Sequence, residues 1–229
     1  MPTGYAGELT VKATINGQEY TLAYDAESSS YKTTITAPTE TSYNENDGHY
    51  YAVEVKATDG GGNTTTVNDT HPTLGDSCKL RVLEKVKPVV TITYPTQSAH
   101  VGANPLLKWT VTDADSGVDP DTIKIKLSFI NSDFLPEEIE VSEGITKTPI
   151  SNGYECSYQT SGLTGGECNF YVYVSDHDGN ISSYERGSIF IIDSTPPVLN
   201  ITSPEDNLVT NQSTITVTGT TSDATSEPV

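Results

Sequence analysis

The sequence predicts an all-β chain made of small β-sandwich domains arranged in tandem. Threonine and tyrosine suit a pleated strand with one face in water, and both are frequent here. The 229 residues include 34 threonines, and 13 of the 18 aromatic residues are tyrosines. No stretch repeats apolar residues at i, i+3, i+4 and i+7 over the length of a buried helix. An internal repeat indicates that more than one domain is present.

The internal repeat marks the starts of two domains. Residues 88–95 (PVVTITYP) recur as residues 197–204 (PVLNITSP), an offset of 109 residues. Each copy follows a linker that contains proline, which interrupts strand pairing. The sequence therefore predicts a first domain at 1–87, a second at 88–195 and the truncated start of a third at 196–229.

Short strands separated by turn residues fill the first two domains. Asn16-Gly17 is predicted to be a two-residue hairpin turn between the first two strands. The predicted strands are 8–15, 18–24, 31–37, 51–58, 64–68 and 79–84 in the first domain, and 89–94, 106–112, 122–130, 137–142, 154–159, 168–175 and 187–192 in the second. Six or seven short strands in about 100 residues are typical of an immunoglobulin-like sandwich. Tandem immunoglobulin-like β-sandwiches are therefore the predicted fold.

Apolar alternation identifies the predicted core of the second domain. The side chains that share one face of their strand are Leu107, Trp109 and Val111 on one strand, and Phe170, Val172 and Val174 on another. The third segment provides at most two strands, too few for a stable sandwich. We therefore expect that the natural chain continues past Val229 or that this end is poorly ordered.

Composition and charge exclude several classes of partner. The net charge is −19, and acidic residues outnumber basic ones in all three segments, so we expect no nucleic-acid partner. The longest apolar runs, such as Ile189–Ile192, are too short for membrane insertion. Residues 1–5 lack the basic and apolar regions of a secretory signal, and an odd number of cysteines, three, favours reduced thiols. These features predict a protein assembled in the cytoplasm.

Six aspartates in two loops of the second domain form the candidate ligand set for a metal. They are Asp113, Asp115, Asp119 and Asp121 after the Trp109 strand, and Asp176 and Asp178 before the last strand. These loops would meet at one end of an immunoglobulin-like sandwich. Calcium takes six to eight oxygen ligands, so the hypothesis is a calcium site. The alternative is that these residues only stabilise turns, because aspartate bonds its own backbone.

An aromatic cluster in the first domain is the candidate ligand surface. Tyr43, His49, Tyr50 and Tyr51 surround the polar segment 44–48, and exposed aromatic rings stack on sugars in recognition loops. The hypothesis is a contact with a glycan. The alternative is that the tyrosine pair begins a strand, with one ring buried and the other in water.

No catalytic signature occurs in the sequence. Neither a GxSxG elbow nor an HExxH zinc motif is present, and we predict that the chain is not an enzyme. His177 lies between two aspartates and is interpreted as a solvated loop residue, with metal ligation as the alternative. Cys156 and Cys168 flank a loop between predicted strands that we expect to be adjacent. Reduced thiols are the expectation there, and a disulfide is the alternative.

Three segments carry a family resemblance. Residues 57–63 (ATDGGGN), 174–180 (VSDHDGN) and 193–198 (DSTPPV) resemble bacterial immunoglobulin-like (Big-type) repeats. More narrowly, residues 17–22 and 46–51, together with the segment YKTTITAP at 31–38, resemble modules of tail-associated proteins from phages and prophages of Gram-positive gut bacteria.

The resemblance implies a non-enzymatic structural or accessory protein of the virion, located in the phage tail. Such modules act as spacers, decorations or weak binders of the host surface, and the implied partners are other virion proteins and bacterial surface glycans. One alternative is an adhesin or stalk module that is secreted to the surface of a bacterial cell. Another is a β-sandwich appendage of a carbohydrate-active enzyme.

Overall fold

A computed structural model describes residues 8–130, 135–163, 166–182, 186–193 and 195–223. These residues form seventeen β-strands and three short 3-10 helices, with no α-helix among them. No helix in the described ranges has the length and apolar character needed to cross a membrane. The predicted all-β fold class is confirmed.

The first unit is a single antiparallel sheet. Its strands are β1 (Thr10–Ile15), β2 (Gln18–Asp25), β3 (Ser30–Lys32), β4 (Tyr51–Thr58), β5 (Thr64–Val67) and β6 (Lys79–Leu80). The order is β3-β2-β1-β4-β5, and β6 pairs with β4. The predicted hairpin turn is confirmed, because Asn16 and Gly17 have φ angles of 47° and 70° and Ile15 pairs with Gln18.

Two predicted strands of the first unit are shorter than expected. The segment predicted at 31–37 ends its pairing at Lys32, and Ile35, beyond that end, lines a cavity with Ile15 and Val53. The segment predicted at 79–84 pairs only through Leu80. Beyond that residue its main chain bonds to loops instead of a strand.

The second unit is a two-layer sandwich. Its strands are β7 (Val89–Tyr94), β8 (His100–Val101), β9 (Leu106–Thr112), β10 (Lys124–Ile130), β11 (Pro136–Val141), β12 (Thr146–Ile150), β13 (Gly153–Gln159), β14 (Gly166–Tyr173) and β15 (Arg186–Ile192). One sheet has the order β11-β10-β14-β15-β8 and the other β12-β13-β9-β7. The strand β8 is parallel to β15, and the other pairs are antiparallel. This is an immunoglobulin-like arrangement, with β8 and β12 as strands that sequence reasoning missed.

The core of the second unit lies between its two sheets and confirms the predicted apolar faces. Leu107, Trp109 and Val111 of β9 are fully buried. The Trp109 ring packs edge-on against Phe170 of β14, with ring centroids 5.6 Å apart and an interplanar angle of 76°. Burial of such aromatic and aliphatic side chains is the main stabilising contribution in a sandwich of this size.

The cysteines of the second unit are free and buried. Cys156 belongs to β13 and Cys168 to β14, and these consecutive strands lie in opposite sheets. The sequence-based view that they occupy adjacent strands is therefore wrong. Burial raises the pKa of Cys156 to about 11 and that of Cys168 to about 12.

The third unit is a strand pair, β16 (Val198–Ser203) with β17 (Thr218–Ser222). Its apolar side chains are largely exposed, as at Leu199, which is 69% exposed. In the described part of the chain each sheet takes its strands from one stretch of sequence, 10–80, 89–192 or 198–222. The boundaries at 87/88 and 195/196 stay predictions.

Candidate metal centre

The two acidic loops of the second unit lie side by side at one end of the sandwich. The loop between β9 and β10 contains Asp113, and the loop between β14 and β15 contains Asp176. An isolated bridge pairs Val118 with Asp176. The main-chain amide of His177 donates to the oxygen of Gly117 at 3.2 Å. The predicted meeting of these loops is confirmed.

Asp113 organises the first of these loops. Its Oδ1 accepts hydrogen bonds from the amides of Asp115 at 3.0 Å and Gly117 at 2.9 Å. Gly117 has a φ of +79°, a conformation that favours glycine. Asp113 is only 5% exposed, and its Oδ2 is a buried oxygen without a hydrogen-bond partner in the described structure. One oxygen therefore stabilises the turn, and the other does not take part in it.

Asp176 organises the second loop through a closed set of bonds with Asn180. The Asp176 amide donates to the Asn180 oxygen at 3.1 Å, and the Asn180 amide donates to Asp176 Oδ1 at 2.8 Å. The Asn180 side chain donates to Asp176 Oδ2 at 2.9 Å. Asp59 and Asn63 of the first unit make the same three bonds at 3.0, 2.9 and 2.9 Å. The structure thus confirms that the two turns correspond.

A third carboxylate comes from the linker between the first and second units. Glu84 is half-buried, and its Oε1 accepts from Ser116 Oγ at 3.2 Å and from Asn180 Nδ2 at 2.7 Å. Its amide donates to Asp178 Oδ2 at 3.0 Å, and its main-chain oxygen accepts from Asn180 Nδ2 at 3.2 Å. Its Oε2 accepts from the amide of Val86. Glu84 is therefore bonded to both acidic loops.

The three carboxylates converge in what we call the junction centre, defined by Glu84, Asp113 and Asp176. One carboxylate oxygen of each lies within 4.8 Å of the other two. None of the ion pairs among the described residues includes any of the three. Burial, and after it hydrogen-bond contact with Asp176, raise the pKa of Glu84. Converging carboxylates of this kind are the ligands that hard divalent cations prefer.

The other predicted metal ligands do not belong to the junction centre. Asp115 is exposed, and its main-chain oxygen accepts from Asn44 Nδ2 at 2.6 Å. Asp119 begins a short 3-10 helix, Pro120–Thr122, by accepting from the amide of Asp121 at 3.0 Å. The Oδ2 of Asp178 accepts a hydrogen bond from the main-chain amide of Glu84 in the linker. Of these four aspartates, Asp119 bonds the backbone of its own loop through its side chain, which is the role that the turn alternative gives it.

Glu84 is the residue of the junction centre that sequence reasoning missed. The signal that would have found it is the internal repeat. Glu84 stands four residues before Pro88, and Asp193 stands four residues before Pro197. An acidic residue therefore occupies the same place in both linkers, although linkers are usually excluded from the search for ligands.

Residues of the first unit also contact these loops directly. Thr41 Oγ1 donates to Asp178 Oδ2 at 2.6 Å, and Asn44 supplies the bond to Asp115. Val82, two residues before Glu84, is bonded to the first unit: its amide donates to Ser42 Oγ at 3.1 Å and its oxygen accepts from the Ser42 amide at 2.8 Å. The linker is thus held by both units.

The predicted aromatic cluster is part of the same junction. The Tyr43 ring is stacked between His49 and His177, with centroid distances of 4.1 and 4.3 Å and interplanar angles of 1° and 6°. Tyr51 is buried at 3% exposure, so it offers no surface to a sugar and the prediction of four exposed rings is wrong there. Tyr50 is half-buried. A glycan contact at the remaining residues stays a prediction.

Comparisons with known proteins concern mainly the fold. A family model described as glucodextranase, domain B, matches residues 197–229, whereas no curated protein matches the chain. CopC from Methylosinus trichosporium OB3b is similar at 21% identity, with a TM-score of 0.34, over 47% of this chain and 97% of CopC. Fibronectin(III)-like modules of Clostridium thermocellum CbhA are similar at 15% identity, with a TM-score of 0.34, over 85% of this chain and 83% of theirs.

The chain also resembles a small part of a larger protein. Dimeric latent PorU from Porphyromonas gingivalis is similar at 13% identity, with a TM-score of 0.39, over 86% of this chain and 21% of PorU. The family match and the sheet topology together support an immunoglobulin-like module.

Proposed function

We propose that the chain is a non-enzymatic structural module whose first two units act as one rigid spacer. The observation that carries this proposal is that the linker is hydrogen-bonded to both units. Val82 is hydrogen-bonded to the first unit, and Glu84, two residues later, is hydrogen-bonded to the second. A linker fixed on both sides at this spacing has little freedom to bend, unlike the mobile connection that is the default between domains.

Direct contacts between the units strengthen this interpretation. The bonds from Thr41 to Asp178 and from Asn44 to Asp115 join the two units without passing through the linker. The stack of Tyr43 on His177 adds an apolar contact between them. A spacer needs this property, because it must hold whatever it carries at a fixed distance and direction.

The spacer is best assigned to a phage tail or another part of a virion, together with other virion proteins. The resemblance of residues 17–22, 31–38 and 46–51 to tail-associated modules supports this assignment. In that setting the module would hold a weak contact with bacterial surface glycans away from the particle. Immunogold electron microscopy on particles induced from the host tests it. Label on purified tails supports a virion role, and label confined to the bacterial cell wall supports the adhesin alternative instead.

A second candidate is an appendage of a carbohydrate-active enzyme. The match of residues 197–229 to glucodextranase, domain B, favours it. A glycoside hydrolase domain in the same natural polypeptide, with release of reducing sugar from a polysaccharide by that polypeptide, would support this candidate. A natural polypeptide without hydrolase activity would count against this candidate, and the spacer would remain the proposed function.

The rigidity itself is tested by pulsed electron paramagnetic resonance on the full chain in millimolar calcium. Spin labels are placed at Thr65→Cys in β5 and Thr148→Cys in β12, both exposed strand positions. The three native thiols are buried and do not compete for the label. We expect one narrow distance distribution. A distribution as broad as that of the double variant Asn44→Ala/Asn180→Ala, which removes bonds across the junction, would contradict the proposal.

A further inference from the structure

We propose that Glu84, Asp113 and Asp176 bind one calcium ion, and that this ion fixes the linker to the second unit. The inference rests on the proposed spacer function and supplies the means by which its junction is held. It extends the sequence hypothesis of a calcium site, because one ligand is a linker residue and four of the six predicted aspartates lie outside the group.

The spacing of the carboxylates fits a single ion. Calcium binds oxygen at about 2.3–2.6 Å, so two oxygens on the same ion lie at most about 5 Å apart. One oxygen of each of the three carboxylates lies within 4.8 Å of the others. The spacing of the three groups is therefore compatible with a common ion.

Asp113 gives an independent indication of a cation. The residue is 95% buried, and its Oδ2 has no hydrogen-bond partner in the described structure. A buried carboxylate oxygen is normally paired, since an unpaired one loses its hydration without gaining a hydrogen bond in return. The other oxygen of Asp113 is already occupied by two loop amides, which fix the side chain in place. Such a fixed and unpaired oxygen is what a metal ligand requires.

The chemistry of the donors selects calcium among common cations. The group offers carboxylate oxygens only, whereas zinc prefers nitrogen and sulfur. The neighbouring oxygens are of mixed kinds, such as the hydroxyl of Ser116 and the main-chain oxygen of Glu84. Calcium accepts such irregular sets of six to eight oxygens with water among them, and magnesium demands a near-ideal octahedron.

The position of the ligands makes the ion a structural link. Glu84 belongs to the linker, Asp113 to the loop after β9, and Asp176 to the loop after β14. Three like charges repel one another at this distance, and a divalent cation removes that repulsion while joining the three segments. Calcium binding and junction rigidity are therefore linked, so each stabilises the other.

Calcium binding is measured by isothermal titration of the full chain after treatment with a chelator. The variants Glu84→Gln and Asp113→Asn keep the shape of each side chain, but they remove its charge and replace one acceptor oxygen with a donating amide group. Asp121→Asn is the matched control, because Asp121 lies in the same loop outside the junction centre. We expect one site in the wild type, at least about tenfold weaker binding in the two test variants, and affinity within about twofold of the wild type in the control.

Two results would overturn the calcium site. One is the absence of calcium binding at millimolar concentration in the folded wild type. The other is a loss of affinity in Asp121→Asn as large as that in Glu84→Gln. Circular dichroism of each variant verifies that it is folded, and Glu84→Gln provides a test even if Asp113→Asn fails to fold.

The spin-labelled chain separates this inference from the proposed function. With calcium we expect a narrow distance distribution, and with chelator a broader one that Glu84→Gln reproduces in the presence of calcium. A distribution that is narrow with and without calcium leaves the spacer standing and refutes the role of the ion. A distribution that is broad in both conditions refutes the spacer itself.

Discussion

Asn180 and Asn63 form a natural pair for measuring how strongly the linker is held. Both asparagines close the same five-residue turn with an aspartate, by bonds of nearly equal length. Asn180 differs in one respect: its side chain also donates to Glu84, at 2.7 Å to Oε1 and 3.2 Å to the main-chain oxygen. The variants Asn180→Ala and Asn63→Ala therefore lose the same side-chain bond to the aspartate, and only Asn180→Ala loses the bonds to the linker.

The expected difference follows from the bonds that are not shared. A hydrogen bond to a charged acceptor contributes about 1.5–3 kcal/mol and a neutral one about 0.5–1.5 kcal/mol. Asn180 is half-buried and has two N–H groups for three acceptors, which reduces the sum. We therefore expect Asn180→Ala to destabilise the second unit by about 2 kcal/mol more than Asn63→Ala destabilises the first.

Native-state amide hydrogen exchange measures both units in the same full-length sample. The amides of β14 report the opening of the second unit, and those of β4 report that of the first. If the two substitutions reduce the opening free energy of their units by the same amount, the bonds to Glu84 contribute nothing. The reasoning that the junction is held through the linker would then be refuted.

Two further predictions concern the sandwich of the second unit. Cys156 and Cys168 should not react with iodoacetamide at pH 8 in the native protein. The reason is that burial raises their pKa to about 11 and about 12 and leaves almost no thiolate. Rapid alkylation seen by mass spectrometry before unfolding would contradict this. Gly153→Ala should destabilise the sandwich by about 3 kcal/mol, because the added Cβ would lie 1.9 Å from a main-chain oxygen of β9. Urea unfolding followed by tryptophan fluorescence measures this loss. Gly102→Ala, which meets open space, is the control, and equal effects would refute the packing argument.

The strands were largely predictable because their pattern is local. Alternation of apolar and polar residues placed β9 at its observed bounds, and the Asn16-Gly17 turn fixed the first hairpin, since both depend on neighbours in sequence. The very short strand β8 has too few residues to show a pattern. It pairs because His100 and Val101 lie beside the end of β15, a relation that only the folded sandwich creates.

The candidate site was predictable only in part, for the same reason. Asp113 and Asp176 stand in loops whose meeting follows from the topology of an immunoglobulin-like sandwich. The contribution of Glu84 depends on how two units pack against each other, which the pattern within one unit does not encode. Burial of Tyr51 depends on contacts between distant parts of the first unit, such as its pairing with Leu80 and the bond from its hydroxyl to the Glu40 oxygen. The repeat of an acidic residue before each linker proline was the available signal for Glu84.

The two anchors of the linker also determine how the molecule responds to a pulling force. Tension along the chain passes from β6 to β7 through residues 81–88. The bonds at Val82 and Glu84 transfer that load to loops of the two units. These bonds must break before the linker straightens, and the few residues released then extend by at most about 3.5 Å each. Breaking these bonds would thus let the junction lengthen slightly without any loss of strand pairing in the sheets on either side.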